Sequence, residues 1–290
     1  MNSHWILQVA LRPAVVLAVL ALCPWTGAAG AQAPDGWTLE WADEFATDGR
    51  PNPANWTYET GLVRNEEAQS YQPANAFCRD GHLILEARRE RIPNPGFKAG
   101  ATDWRSRQFS DYSSASITTQ GLHAWQYGRF EMRGRIDTDL GMWPAFWTLG
   151  ADGEWPDAGE IDVMEFYRGM LLANVAWGSP KRWVATWDSV RTPITALGGP
   201  GWSGAFHVWR MDWDADRIQL SVDGRVLNTT NIADTVSPRI NRTPFRQPHY
   251  LLLNLAIAGQ NGGDPSRTTF PARFEVDYVR VYSRTPPATP

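Results

Sequence analysis

The chain has 290 residues and carries 27 Lys and Arg against 31 Asp and Glu, a net charge of −4. That balance excludes the basic footprint nucleic acid requires and gives no attraction to an anionic membrane surface. Of its two cysteines only Cys78 lies beyond the N-terminal leader, so no internal disulfide framework exists and stability must come from a hydrophobic core.

Residues 1–33 read as a secretion leader. Arg12 precedes an apolar run from Ala14 to Leu22, and small residues follow, ending in AGA and AQA, both of the A-x-A cleavage type. The run is too short for a bilayer span, which needs roughly 20 residues. The expectation is an exported protein cleaved after Ala31 or Ala33, one domain over 34–284, and a flexible Pro/Thr-rich tail over 285–290.

Along the domain, strand follows strand with turn residues between. "GHLILEARRE" sets Leu83, Leu85 and Ala87 against Ile84, Glu86 and Arg88. Residues 91–112 have no strand period and are expected to wall a cleft. "YGRFEMRGRID" alternates Phe130, Met132, Gly134 and Ile136 with Arg129, Glu131, Arg133 and Arg135. Residues 178–204 again look irregular and bring Trp183, Trp187 and Trp202 as a second wall. "FHVWRMDWDADRIQLSVDGRVLN" reads as strands joined at DADR and at the Asp223-Gly224 hairpin. "HYLLLNLAIAG" and "FEVDYVRVYS" are the last strands. Short strands without long helical periods imply an all-β fold, an antiparallel sandwich or barrel.

Fourteen tryptophans lie beyond the leader, a surplus that suits both core filling and the stacking of sugar rings. Four scattered histidines offer no zinc spacing, and Cys78 has no His or Cys near it, which predicts a buried structural thiol.

"GEIDVMEF" (159–166) holds Glu160, Asp162 and Glu165. The first two share a strand face, but a regular strand would point Glu165 the other way. A β-bulge at Val163-Met164 restores the phase and presents all three to one groove. Crowded carboxylates can also be a solvated face or a calcium site, yet these sit among apolar and aromatic residues. Glycosidic cleavage uses a pair of acids, a nucleophile and an acid/base, and a third acid between them can hold their titrations apart.

With its flank "GMWPAFWTLG", this motif resembles the E-[ILV]-D-x-x-E signature of glycoside hydrolase family 16. "NEEAQSY", "YGRFEMRGRI", "HYLLLNLAIAGQNGGDP" and "FEVDYVRVY" resemble further family blocks in the family's order. The resemblance implies a β-jelly roll of two curved antiparallel sheets with a concave substrate groove. It implies Glu160 as nucleophile, Glu165 as acid/base and Asp162 as assisting carboxylate. The extra Met164 is similar to the laminarinase, agarase and carrageenase branches. Trp143 and Trp147 then become sugar platforms, the alternative being core packing, whereas Trp155 reads as a core or loop anchor. Asn65, Glu66, Arg105, Asn174 and Gln260 become groove residues, although Asn65 and Glu66 can equally cap a loop and Arg105 can pair with Asp103 or Asp111. Glu44, Gly81 and Asp277 are the positions where the family's structural calcium would sit, held in part through backbone oxygens; catalysis itself needs no cofactor. One departure stands out: Ala176 and Trp177 occupy the place where many laminarinases carry a groove histidine.

The expected activity is a secreted, endo-acting, retaining glycosidase, a monomer whose partner is β-1,3 or mixed β-1,3/1,4 glucan. A β-galactan hydrolase, a transglycosylase and a non-catalytic glycan-binding jelly roll are the rivals.

Overall fold

The computed structural model describes residues 33–199 and 201–284. The expected leader, except Ala33, and the expected tail lie outside the described residues.

Two antiparallel sheets enclose one core. In spatial order the first runs Arg225–Asn231, Arg217–Val222, His207–Trp213, Gly128–Ile136, Ala272–Arg284, His82–Ala87 and Ala76–Arg79, with Trp37–Asp43 also paired to Ala272–Arg284. The second runs Ala185–Pro193, Met170–Gly178, Glu160–Tyr167, Met142–Gly150, His249–Ile257, Ser116–Thr118 and Thr57–Tyr58. Phe130, Met132 and Val279 of the first meet Phe146, Ile161 and Leu253 of the second in that core. Removing these apolar surfaces from water is the main drive holding the sheets together.

The period-2 pattern of Gly128–Ile136 is realised residue by residue, with Phe130, Met132 and Ile136 buried. Its outward arginines pair across neighbouring strands, Arg129 with Asp212, Arg133 with Asp277 and Arg135 with Glu275. Asp223 and Gly224 both adopt positive φ (47° and 79°), the backbone a tight hairpin turn demands. His249–Ile257 is buried throughout, as its continuous apolar run implies.

Two stretches differ from the sequence reading. Residues 185–193 form a nine-residue edge strand. Its faces are polar on both sides, with Trp187, Ser189 and Arg191 on one and Asp188, Val190 and Thr192 on the other, so no hydrophobic period announces it. Trp202, expected in a cleft wall, instead stacks on buried His207 with centroids 3.7 Å apart. Residues 91–112 do not wall a cleft either. They fold into the short hairpin Ile92–Pro93 with Phe109–Ser110, and Arg107 donates to the carbonyls of Glu67 and Ala68 at 2.9 and 2.8 Å. Cys78 is buried, which pushes its thiol up to about 12 and leaves it unreactive at neutral pH.

Gly150 ends the strand before the acidic motif, and a Cβ there would stand 1.9 Å from the Ala158 carbonyl oxygen. Gly150→Ala therefore has to displace the 151–159 connection. It is expected to lower Tm by about 5 °C or more; an unchanged thermal melt would contradict this packing.

Candidate active site

The register of the acidic strand contains the bulge. Asp162 pairs with Trp147 on one side and Asn174 on the other, and Glu165 pairs with Ala145 and Leu172, so Val163 and Met164 together span the space of one partner residue. Both are fully buried in the core. Glu160, Asp162, Glu165 and Tyr167 therefore line one groove of about 710 Å3. It reaches from Arg64 and Asn65 on one side to Trp187, Ser189 and Arg191 of the edge strand on the other.

Glu160 and Glu165 each accept from an indole, and Asp162 and Glu165 share an amide donor. Trp155 Nε1 donates to Glu160 Oε2 at 2.5 Å. Trp143 Nε1 donates to Glu165 Oε1 at 2.6 Å. Asn174 Nδ2 reaches Asp162 Oδ2 at 3.1 Å and Glu165 Oε2 at 3.2 Å, and its own Oδ1 accepts from Ser189 Oγ at 2.6 Å. Burial raises all three carboxyls above their ordinary range. For Glu160 the rise is opposed by hydrogen bonds from Trp155 and Asp162 and by the charge of Arg64. Asp162 is pushed well up by burial and then by the charges of Glu160 and Glu165, which favours its neutral form beside Glu160. Glu165 is pushed up to about 7, by burial first, with the Trp143 hydrogen bond opposing. One proton donor and one carboxylate are what double displacement requires.

The structure sorts the other expected residues. Trp143 and Trp147 both line the groove but are largely buried, and Trp147 Nε1 donates to Asn254 Oδ1 at 2.7 Å. Asn65 lines the groove; Glu66 is exposed outside it. Asn174 holds two of the acids. Gln260 is exposed, and its part is a backbone N–H to the Asn65 carbonyl at 2.9 Å; Asn261 lines the groove in its place. Arg105 does not enter the groove, because its guanidinium donates to the Val63 carbonyl at 2.6 Å. Trp155 is no core anchor: it is 38% exposed and bonded to Glu160.

At the positions expected to hold calcium the two carboxylate side chains are already engaged, which leaves backbone oxygens as the donors. Glu44 is engaged by Arg280 at 2.7 and 2.8 Å, and Asp277 by Arg133 at 2.6 Å. Gly81 follows Asp80 in a left-handed turn (φ 75° and 52°) and offers only backbone. Among the described residues no group of three His, Cys, Asp or Glu side chains gathers where it could hold a metal ion.

Sequence reasoning passed over Arg64 and Glu67. Arg64 pairs with Glu59 and lies 5.0 Å over the Trp147 ring. Glu67, 2% exposed, accepts from Gln69 Nε2 at 2.6 Å and Tyr71 OH at 3.2 Å. Tyr71 OH accepts in turn from Asn254 Nδ2 at 3.2 Å, so one hydrogen-bonded chain links Glu67 to Trp147. The alternating N-x-E-x-Q-x-Y of residues 65–71 was the available signal.

The model described as glycosyl hydrolases family 16 matches residues 65–280. A beta-glucanase of Rhodothermus marinus is 34% identical over 93% of this chain and 94% of its own length. LamA from Zobellia galactanivorans, as a Glu-to-Ser variant with laminaritriose and laminaritetraose, matches with a TM-score of 0.69 at 31% identity, covering 85% of this chain and 99% of that one. A structure from work on endo-acting O-glycanases, with which members of the human gut microbiota initiate mucin breakdown, gives 0.78 at 32% identity, covering 87% and 93%.

Indole N–H donation favours the ionised carboxylate, so its removal raises that pKa. Trp155→Phe should move the acid limb of the pH–rate profile upward, and Trp143→Phe the alkaline limb, each by about one unit. Limbs that stay in place in both variants would contradict these assignments. Glu67→Gln sets a donor against the Gln69 and Tyr71 donors. It should raise KM on polymer about tenfold with kcat and both limbs little changed; equal loss of kcat would contradict a wall-positioning role.

Proposed function

The chain belongs to glycosyl hydrolases family 16, and from the groove we propose that this glycoside hydrolase is an endo-acting, retaining enzyme on β-1,3 or mixed β-1,3/1,4 glucan. The carrying observation is the single bulged strand that gives three carboxyls one groove and unequal hold on their protons. A groove spanning from the 64–65 turn to the sheet edge suits an internal stretch of polysaccharide. The leader over 1–33 supports action outside the cell.

Glu160 attacks the anomeric carbon while Glu165 delivers its proton to the leaving glycosidic oxygen. A glycosyl ester of Glu160 forms and the first sugar product departs. Glu165, now ionised, takes a proton from water, the water attacks the same carbon, and Glu160 is released as carboxylate. Two inversions give net retention. Asp162 keeps its proton and stabilises the negative charge whenever it returns to Glu160.

A galactan-type chain is a second reading with its own support. Ala176, not a histidine, stands in the row of Glu160, and Trp177 packs against the core.

Digestion of laminarin, barley mixed-linkage glucan, agarose, porphyran, carrageenan and xyloglucan, with products sized, tests the substrate. Short glucose oligomers from laminarin support the first reading, and galactose oligomers alone move it to the second. Glu160→Ser should lower kcat on the order of 10³-fold or more while sugar binding persists. Glu165→Ala should recover best on substrates with good leaving groups, which need no proton. Wild-type turnover by Glu160→Ser would end the mechanism.

A further inference from the structure

Among the described residues, tryptophan is exposed at three positions, and all lie at the Glu160 end of the groove: Trp155 (38%), Trp187 (46%) and Trp183 (54%). Trp155 and Trp187 line the groove, whereas Trp183 lies beyond it and no catalytic step uses it. Ala176 pairs with Trp187 in the row of Glu160, and Gly178 pairs with Ala185 one step further, so residues 179–184 are the hairpin loop that continues past this row.

That loop is built to hold its tryptophan out. Trp183 adopts φ 64°, a left-handed backbone that a bulky side chain rarely takes. Ser179 N donates to the Val184 carbonyl at 3.0 Å and Val184 N to the Lys181 carbonyl at 3.2 Å, which closes the turn around it. Arg182 grips Glu154 through two hydrogen bonds of 2.9 and 2.8 Å and covers the Trp183 ring at 4.9 Å. Glu154 precedes Trp155, so the two loops at this end are tied together. A strained, pinned and solvent-facing indole next to a sugar groove calls for a flat apolar occupant.

We propose that Trp183 is an outer subsite that stacks a pyranose ring of the same polysaccharide, beyond the sugars held at the carboxylates. This rests on the hydrolase reading above and adds a dependence on chain length. A long chain reaches Trp183, and an oligosaccharide filling only the sites beside Glu160 and Glu165 does not.

The test compares wild type, Trp183→Ala and Trp183→Phe on the polymer hydrolysed best and on the shortest oligosaccharide of the same linkage that is cut. Trp183→Ala should raise KM on polymer about tenfold, roughly the worth of one stacking contact. It should leave kcat, the short substrate and Tm unchanged, and Trp183→Phe should recover part of the loss. Equal loss on both substrates, or loss on neither, overturns the subsite. If wild type cuts none of the polymers, the hydrolase reading fails separately. Retention of the same polymers on affinity gels by Glu160→Ser, with and without Trp183→Ala, then reads the subsite directly. Weaker retention of the double variant supports it; equal retention, or none, overturns it.

Discussion

Three carboxyl groups in one desolvated row cannot all be ionised, and the arrangement around the acidic strand answers that constraint. Unit charges about 4 Å apart repel by roughly 4 kcal/mol at the effective dielectric of a protein surface, and more where water is excluded. Burial and the two neighbouring charges push the Asp162 carboxyl well above its ordinary range, which favours its neutral form between them. Glu165 keeps its proton up to about 7. The Trp155 indole favours the charged form of Glu160, whereas the Trp143 indole opposes the rise of Glu165 without cancelling it, so burial leaves the two acids with different hold on their protons.

The bulge makes this row possible. Val163 and Met164 both turn into the core, whereas a regular strand of the same sequence would turn Met164 to the groove and Glu165 to the core. The backbone irregularity therefore serves core and groove at once, burying two apolar side chains in succession while returning the third acid to the solvent side. A further buried carboxyl group, Glu67, organises the neighbouring wall. Asn65 and Glu66 are consecutive left-handed residues (φ 55° and 54°), a costly turn that persists because surrounding groups hold it. Arg107 holds the Glu67 carbonyl, the Gln260 N–H holds that of Asn65, and a Cβ on Gly259 would stand 2.7 Å from the Asn65 oxygen.

Much of this was legible because the relevant signals are local. The all-β sandwich follows from alternation and turn residues, the Asp223-Gly224 hairpin from its dipeptide, and the bulge from an out-of-phase acid. The edge strand 185–193 stayed hidden because an edge with two polar faces has no hydrophobic period. Trp155 was misread because its partner Glu160 meets it through a folded connection, not along a strand. Arg105 and Asn174 show the same limit: composition names a polar residue, but only the fold decides whether it meets sugar, backbone or another side chain. Glu67 was passed over since a buried carboxylate and a solvated one look alike in a list of residues.

The most direct test of the shared-proton account is a carbon-13 NMR titration of the Glu and Asp side-chain carboxyls, assigned through Glu160→Gln, Asp162→Asn and Glu165→Gln. The account predicts that Asp162 stays protonated through neutral pH, that Glu165 titrates near 7, and that Glu160 ionises before it. Three independent titrations near 4, with Asp162 ionised at pH 6, would contradict it.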